Sequence, residues 1–123
     1  DKDVSPAQRR NRAITDLFEP GSIFKVLTAA AALEHGVNTH TYCSGRRQIG
    51  KWNVGCAHGS VHGAVSLDRM VEVSCNLGAG QLAERVGPRR MHEFLTRLGL
   101  QSKTGVEFPG EETGRMLKPE EWK

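Results

Sequence analysis

The 123-residue chain has no apolar run that approaches a bilayer crossing, which takes about 20 consecutive residues. Its longest candidate, residues 26–33, contains Thr28 and is mostly alanine, the make-up of a packed helix. No charged, then apolar, then small-residue leader stands at the start, so no secretory signal is visible, and export would need a targeting segment outside these residues. Aromatics are scarce at 6%, and none interleaves with the arginines at Arg9, Arg10 and Arg12 or at Arg46 and Arg47. Binding of single-stranded nucleic acid uses aromatic stacking inside a basic groove, and a net charge of +3 is mild. Nucleic acid is therefore not an expected partner. There is no internal repeat and no segment of linker composition. What remains is 37% hydrophobic residues, 25% charged residues and 14 glycines, the profile of a globular chain with many turns and the size of one domain.

Glycine and proline divide this chain. The segment 1–20 has a polar start, a basic RRNR stretch, and then Ile14, Leu17 and Phe18, and it reads as an extended lead-in. A helix is predicted from about Ser22 to His35, with Pro20-Gly21 as the breaker, Ser22 at or near the N-cap and Gly36 as the stop. Its apolar face is Phe24, Val26, Leu27 and the alanines. Residues 37–63 are rich in glycine and in β-formers such as Tyr42, Ile49, Trp52 and Val54, so a short hairpin or irregular loop is predicted. Ser66 caps the next helix, which ends near Ser74; Asn76 to Val86 form another, stopped by Gly87. Pro88 opens a third, with Met91, Phe94, Leu95 and Leu98 on one face and Gly99 at its end. The tail, residues 101–123, reads as loop with at most one short strand. Strands occur only in fragments, which suggests part of a larger α+β domain.

Chemistry is concentrated at the start of the first long helix. Ser22 and Lys25 stand three apart, on one helix face, so a hydroxyl and an amine come within hydrogen-bonding reach. A desolvated lysine can titrate low enough to take a serine proton, and the helix N-terminus favours an anion formed there. In isolation S-x-x-K is common by chance and reads first as an N-cap beside a surface lysine. Ser74 and Asn76 add an S-x-N group at a break between helices, and that order of motifs is shared by penicillin-binding proteins and class A β-lactamases.

The stretch RNRAITDLFEPGSIFK, continued by HGAVSLDRMVEVSCNLGAG, resembles the active-site region of class B penicillin-binding proteins, the division- and elongation-type peptidoglycan D,D-transpeptidases. The likeness covers the chain from Asn11 onward; Ile23 departs from the family's usual threonine beside the nucleophile. The resemblance implies an α+β β-lactamase/transpeptidase-like fold, here mostly its helical subdomain with short β elements. It implies Ser22 as the acylated nucleophile, Lys25 as its base, Ser74 as a proton relay to the leaving amine, and Asn76 as a holder of the substrate amide. The implied ligands are peptidoglycan stem peptides and β-lactams, with no cofactor needed for catalysis. The implied setting is extracytoplasmic, in a membrane-anchored parent with cell-wall synthesis partners. A β-lactam-sensing or catalytically silent domain on the same scaffold is the alternative. A class D-like β-lactamase is another, although that group carries S-x-V where this chain has Asn76.

Lys103-Thr104-Gly105 imitates the family's third motif, K-(S/T)-G. The working motif sits on a sheet-edge strand, whereas this one runs into VEFPGEETG, a loop sequence that resembles the family's non-catalytic KTG-x-x-x-PGE segment. The chain is therefore expected to lack the catalytic strand and to be inactive by itself.

Cys43, Cys56 and Cys75 are odd in number. A Cys43–Cys56 disulfide with Cys75 free is one reading, and three free thiols are another. By the resemblance to elongation-type members that bind zinc beside the active site, a third reading adds His62: Cys43, Cys56, His62 and Cys75 would form a Cys₃His structural zinc site. His58 is a spare candidate.

Overall fold

The structure, a computed structural model, describes residue 5 and residues 9–49 and 51–122. Most of the predicted polar start therefore lies outside the described residues. The lead-in is not wholly extended: Arg12–Thr15 form a single helical turn, α1, whose N-cap Asn11 accepts a hydrogen bond from the Ala13 N–H.

The first long helix begins later than predicted. Gly21–Ile23 make a 3₁₀ turn, and the α-helix proper, α2, spans Phe24–Glu34. Ser22 lies inside the 3₁₀ turn, which has Pro20 as its N-cap and no side-chain cap bond, so the predicted Ser22 cap is not formed. Gly36, at φ +60°, supplies the left-handed residue that ends the helix. The buried face of α2 is Thr28, Ala29, Ala31 and Ala32. Val26, predicted to be buried, is exposed, and Phe24 and Leu27 are half-buried. The small side chains on that face let the backbone of α2 approach that of a later helix closely.

Four short strands follow: β1 (Thr41–Cys43), β2 (Arg46–Ile49), β3 (Trp52–Gly55) and β4 (Gly63–Val65). They pair as two antiparallel ribbons, β1 with β4 and β2 with β3, with Cys43 opposite Gly63 and Arg46 opposite Gly55. The β2–β3 hairpin is mostly exposed, while the inner residues of β1 and β4 enter the core.

Three helices complete the core: α3 (Leu67–Glu72), α4 (Asn76–Val86) and α5 (Pro88–Arg97). Gly87, at φ +83°, turns the chain between α4 and α5, and Pro88 takes the first helical position of α5, where its missing N–H costs nothing. On α5, Met91, Phe94 and Leu95 are buried, whereas Leu98 is exposed beyond the helix end. Helix α4 packs against α2 on one side and β1 on the other. Gly78 permits that approach, because a Cβ there would stand 2.9 Å from Met70 Cγ and 3.0 Å from Thr41 Oγ1. Met70, Leu82 and Leu95 are the largest fully buried side chains.

The tail has no strand among its described residues, only a 3₁₀ turn at Pro119–Glu121. It folds back on α5 and the segment after it: the Trp122 ring lies 6.3 Å from that of His92, tilted by 50°, and Gln101 donates to the Met116 carbonyl. Gly114 passes so near Leu100 that an added Cβ would land on the Leu100 carbonyl oxygen.

Candidate functional site

Ser22 enters the site from the 3₁₀ turn and Lys25 from the first turn of α2. Lys25 Nζ donates to Ser22 Oγ at 3.2 Å and to both Oγ and the carbonyl oxygen of Ser74, each at 2.7 Å. One ammonium thus joins two hydroxyls from separate parts of the chain. Burial lowers the Lys25 pKa below its ordinary 10.5, with negative charge on Cys56 and Cys75 pulling the other way. A lysine so placed can shed its proton more readily than a free one.

Ser74 ends the α3 segment in a left-handed conformation, φ +51°, which is uncommon for serine. That conformation folds the chain sharply between α3 and α4, aiming the Ser74 hydroxyl at Lys25 while Cys75 becomes the N-cap of α4. The Cys75 Sγ accepts from the Gly78 N–H at 3.3 Å, a thiol in the place where Ser or Asp usually caps. Asn76, the first residue of α4, donates through Nδ2 to the Gly55 carbonyl at 2.7 Å. That bond fastens the S-x-N turn to the end of β3. Nothing in the sequence marked Gly55: its contribution is a main-chain carbonyl, which any residue type supplies.

Ser22, Lys25 and Ser74 are therefore brought together, while Asn76, two residues beyond Ser74, gives its side-chain N–H to the Gly55 carbonyl and not to that trio. Lys103, Thr104 and Gly105 are not part of the group. They lie in irregular chain, where the Thr104 N–H and hydroxyl both donate to the Glu111 carboxylate at 2.6 Å, and these bonds hold the Glu111 carboxyl below its ordinary range. A largely apolar groove of about 820 Å³ runs past Lys25 and is lined by Phe18, Phe24, Met91, Leu95 and Trp122.

Behind the S-x-N turn the three cysteines meet. Cys56 Sγ lies 3.5 Å from Cys43 Sγ and 3.6 Å from Cys75 Sγ, and all three are free thiols, so the predicted Cys43–Cys56 disulfide is not formed. A His62 ring nitrogen joins them, the four donor atoms lying within 4.8 Å of one another. His62 Nδ1 is buried with no hydrogen-bond partner, an orphaned donor site beside three sulfurs. His58 is exposed, at φ +55°, and outside the group. Burial opposes ionisation of the Cys43 thiol, but backbone N–H bonds from His62 and Gly45, aided by the neighbouring thiols, bring it down to about 6. Burial, with the two neighbouring sulfurs, pushes Cys75 up to about 12 although the Gly78 N–H favours its thiolate. The Cys43 and Cys75 thiols are thus pushed in opposite directions, Cys43 down and Cys75 up, by the same small cluster.

No helix among the described residues is long and apolar enough to cross a membrane.

Known proteins are similar to this chain in sequence and in fold. The penicillin binding protein transpeptidase domain family matches residues 1–123. The probable peptidoglycan D,D-transpeptidase FtsI of Caulobacter vibrioides is 37% identical over 118 residues, which make up 94% of this chain and 20% of that protein. The crystal structure of a peptidoglycan glycosyltransferase from Burkholderia ambifaria superposes with a TM-score of 0.85 at 32% identity, covering 94% of this chain and 37% of that one. Penicillin binding protein 3 from Mycobacterium tuberculosis, complexed with ampicillin, superposes with a TM-score of 0.81 at 34% identity, over 91% of this chain and 25% of that one. This chain therefore spans about a fifth of the length of the FtsI it matches. With its S-x-x-K and S-x-N groups meeting in one place and its whole length matched, the chain belongs to the penicillin-binding protein transpeptidase domain family.

Proposed function

We propose that this chain carries the acyl-enzyme centre of a serine D,D-transpeptidase that cross-links peptidoglycan outside the cytoplasm. The observation that carries the reading is the single Lys25 ammonium shared between Ser22 and Ser74. Lys25 in its neutral form takes the Ser22 proton as Oγ attacks the penultimate D-alanine carbonyl of a stem peptide, or the carbonyl of a β-lactam ring. The helix N-terminus at Ser22 steadies the oxyanion, since the first N–H groups of a helix have no intrahelical partner. Ser74, bonded to the same amine, passes a proton to the departing D-alanine nitrogen. Asn76 holds the peptide amide, and an amine of a neighbouring stem peptide then takes the acyl group from Ser22. The ampicillin complex of the M. tuberculosis relative supports β-lactams as the second ligand class.

The same reading gives Cys43, Cys56, His62 and Cys75 a structural zinc ion. Tetrahedral zinc–sulfur bonds of about 2.3 Å would set sulfur atoms about 3.8 Å apart, close to the 3.5 Å and 3.6 Å observed. The orphaned His62 Nδ1 supplies the nitrogen donor. When bound, the ion would act as a closed structural clamp, with no open position for chemistry.

Fluorescent penicillin labelling of the complete protein that bears this segment tests the acylation. Slow, stable labelling lost in Ser22→Ala supports a transpeptidase, while rapid turnover of the label indicates a β-lactamase and overturns the reading. Metal analysis of protein purified without chelator, with thiol titration, tests the ion.

A further inference from the structure

The three thiols differ in what they can reach. Cys43 and Cys75 are fully buried, but Cys56 is 7% exposed and borders a small cleft of about 320 Å³ that it shares with Arg46, Asn53 and Gly55. A small polar oxidant entering that cleft meets Cys56 and Arg46 on the same lining. Cys56 is also the central sulfur, in contact with both others. The two neighbours are not equivalent as partners. Cys75 Sγ is fixed as the cap of α4 and follows Ser74, whose φ of +51° leaves little freedom. Cys43 lies on the three-residue strand β1 at the shorter distance from Cys56, 3.5 Å against 3.6 Å, and besides accepting from the His62 and Gly45 N–H groups its sulfur makes a long bond, 3.8 Å, to the Ser60 carbonyl.

The geometry points to a peroxide-responsive dithiol: Cys56 takes an oxygen atom from a hydroperoxide, Cys43 resolves it to a disulfide, and the bound metal is discharged. The last part rests on the zinc reading above. In the first step the Cys56 sulfur attacks the outer oxygen of the hydroperoxide. An S–O bond forms and the O–O bond breaks, and the alcohol, or water when the oxidant is hydrogen peroxide, leaves with the Cys56 thiol proton. In the second step the Cys43 sulfur attacks the sulfenic sulfur of Cys56. The S–S bond forms, the S–O bond breaks, and water leaves with the Cys43 thiol proton. Two thiols and one hydroperoxide give one disulfide, one alcohol and one water. The sulfurs must close from 3.5 Å to about 2.05 Å, and the 43–56 bond spans the neck of the β2–β3 hairpin, where the Cys56 N–H already donates to the Gly45 carbonyl. Two of the four donors are then spent, and His62 and Cys75 alone do not complete a tetrahedron.

The sequence makes the test direct. Trypsin cuts after Lys25, Arg46, Lys51, Arg69 and Arg85, so each cysteine falls on its own peptide, 26–46, 52–69 or 70–85. The complete protein, reduced and stripped of metal, is treated with equimolar hydrogen peroxide and mapped without reductant. The expected product is the 26–46 peptide joined to 52–69 with two hydrogens lost; a 52–69 to 70–85 link, or over-oxidation with no link, overturns the assignment. In Cys43→Ser the Cys56 sulfenic acid should persist and be trapped by dimedone, whereas in Cys75→Ser it should not. The reverse pattern also overturns it. Zinc-loaded protein with a chromogenic zinc indicator should release one zinc per disulfide, and retention of zinc in the disulfide form sinks the discharge step. Failure of the reduced protein to take up zinc removes the metal reading and the discharge with it, while the peptide map still decides the dithiol.

Discussion

Lys25 donates to Ser74 twice, to the side-chain hydroxyl and to the main-chain carbonyl, both at 2.7 Å. The double bond of contact orients the ammonium towards the S-x-N turn first and Ser22 second, since the Ser22 bond is the longer, at 3.2 Å. An amine held between two hydroxyls can receive a proton from one and return it through the other.

Lys25→Met should lower the second-order rate of penicillin acylation by roughly 10²- to 10⁴-fold, the usual loss of a positioned base. In the unsubstituted protein that rate should rise with pH and level off below the ordinary lysine value of 10.5, because burial lowers the folded pKa. The stability sign agrees. Between the folded and unfolded pKa values the unfolded chain holds the extra proton, so stability rises with pH across that window and the charged lysine is a burden below it. Lys25→Met should therefore not lower the melting temperature at neutral pH. A fall of several degrees would show that the amine is structural, not reactive.

Ser74→Gly separates the two duties of that residue. Glycine accepts φ +51° freely, so folding stability should hold or rise by up to about 1 kcal/mol, while acylation drops with the lost hydroxyl. Ser74→Ala should lose acylation without the gain in stability. Urea unfolding and penicillin labelling of the pair distinguish them, and equal stabilities would argue against backbone strain at this turn.

Gly114→Ala is expected to be among the most harmful single changes in the tail, because its Cβ would land on the Leu100 carbonyl and backbone cannot yield as a side chain does. The expected cost is at least the roughly 1–3 kcal/mol typical of overpacking, read as a lower thermal midpoint. Gly80→Ala, where an added Cβ meets nothing within 4 Å, is the control and should be neutral or stabilising.

Chelation should matter more than any surface ion pair. If zinc binds the folded cluster alone, free metal at about 100 times its dissociation constant adds about 2.7 kcal/mol. Arg47 with Glu84 and Arg69 with Glu72 are exposed pairs, each worth about 0–1 kcal/mol. Zinc titration followed by EDTA, with the melting temperature as readout, should show a reversible shift in the unsubstituted protein and none in His62→Ala.

Where the sequence was legible, the determinants were local. Pro88, Gly87 and Gly36 fix helix ends through their own φ angles, and the predicted 76–86 helix coincides with α4, Asn76–Val86. Ser22 misled because cap chemistry and base chemistry ask for the same hydroxyl; Pro20-Gly21 opens a 3₁₀ turn one residue earlier, and the Oγ accepts from Lys25 instead of a backbone N–H. Val26 misled because apolar type does not say which side of a helix another element will cover. The tail strand did not form because a strand needs a neighbour to pair with, and the Thr104 N–H found the Glu111 carboxylate. The convergence of Cys43, Cys56, His62 and Cys75 and the bond from Asn76 to the Gly55 carbonyl belong to tertiary structure. No spacing rule encodes them.

Helix α4 begins with Asn76 and buries Leu77, Ala79, Leu82 and Val86 between α2 and β1, whereas the 3₁₀ turn that bears Ser22 buries nothing. Amide exchange should accordingly be slowest in α4 and fast at Gly21–Ile23, since protection follows local burial. The two halves of the site thus differ in stiffness: a firm jaw carries Asn76, and a looser one carries the nucleophile. Strain imposed by a bulky acyl donor would be taken up on the Ser22 side, which makes the 3₁₀ turn the place where substitutions tune the acylation rate without loosening the core.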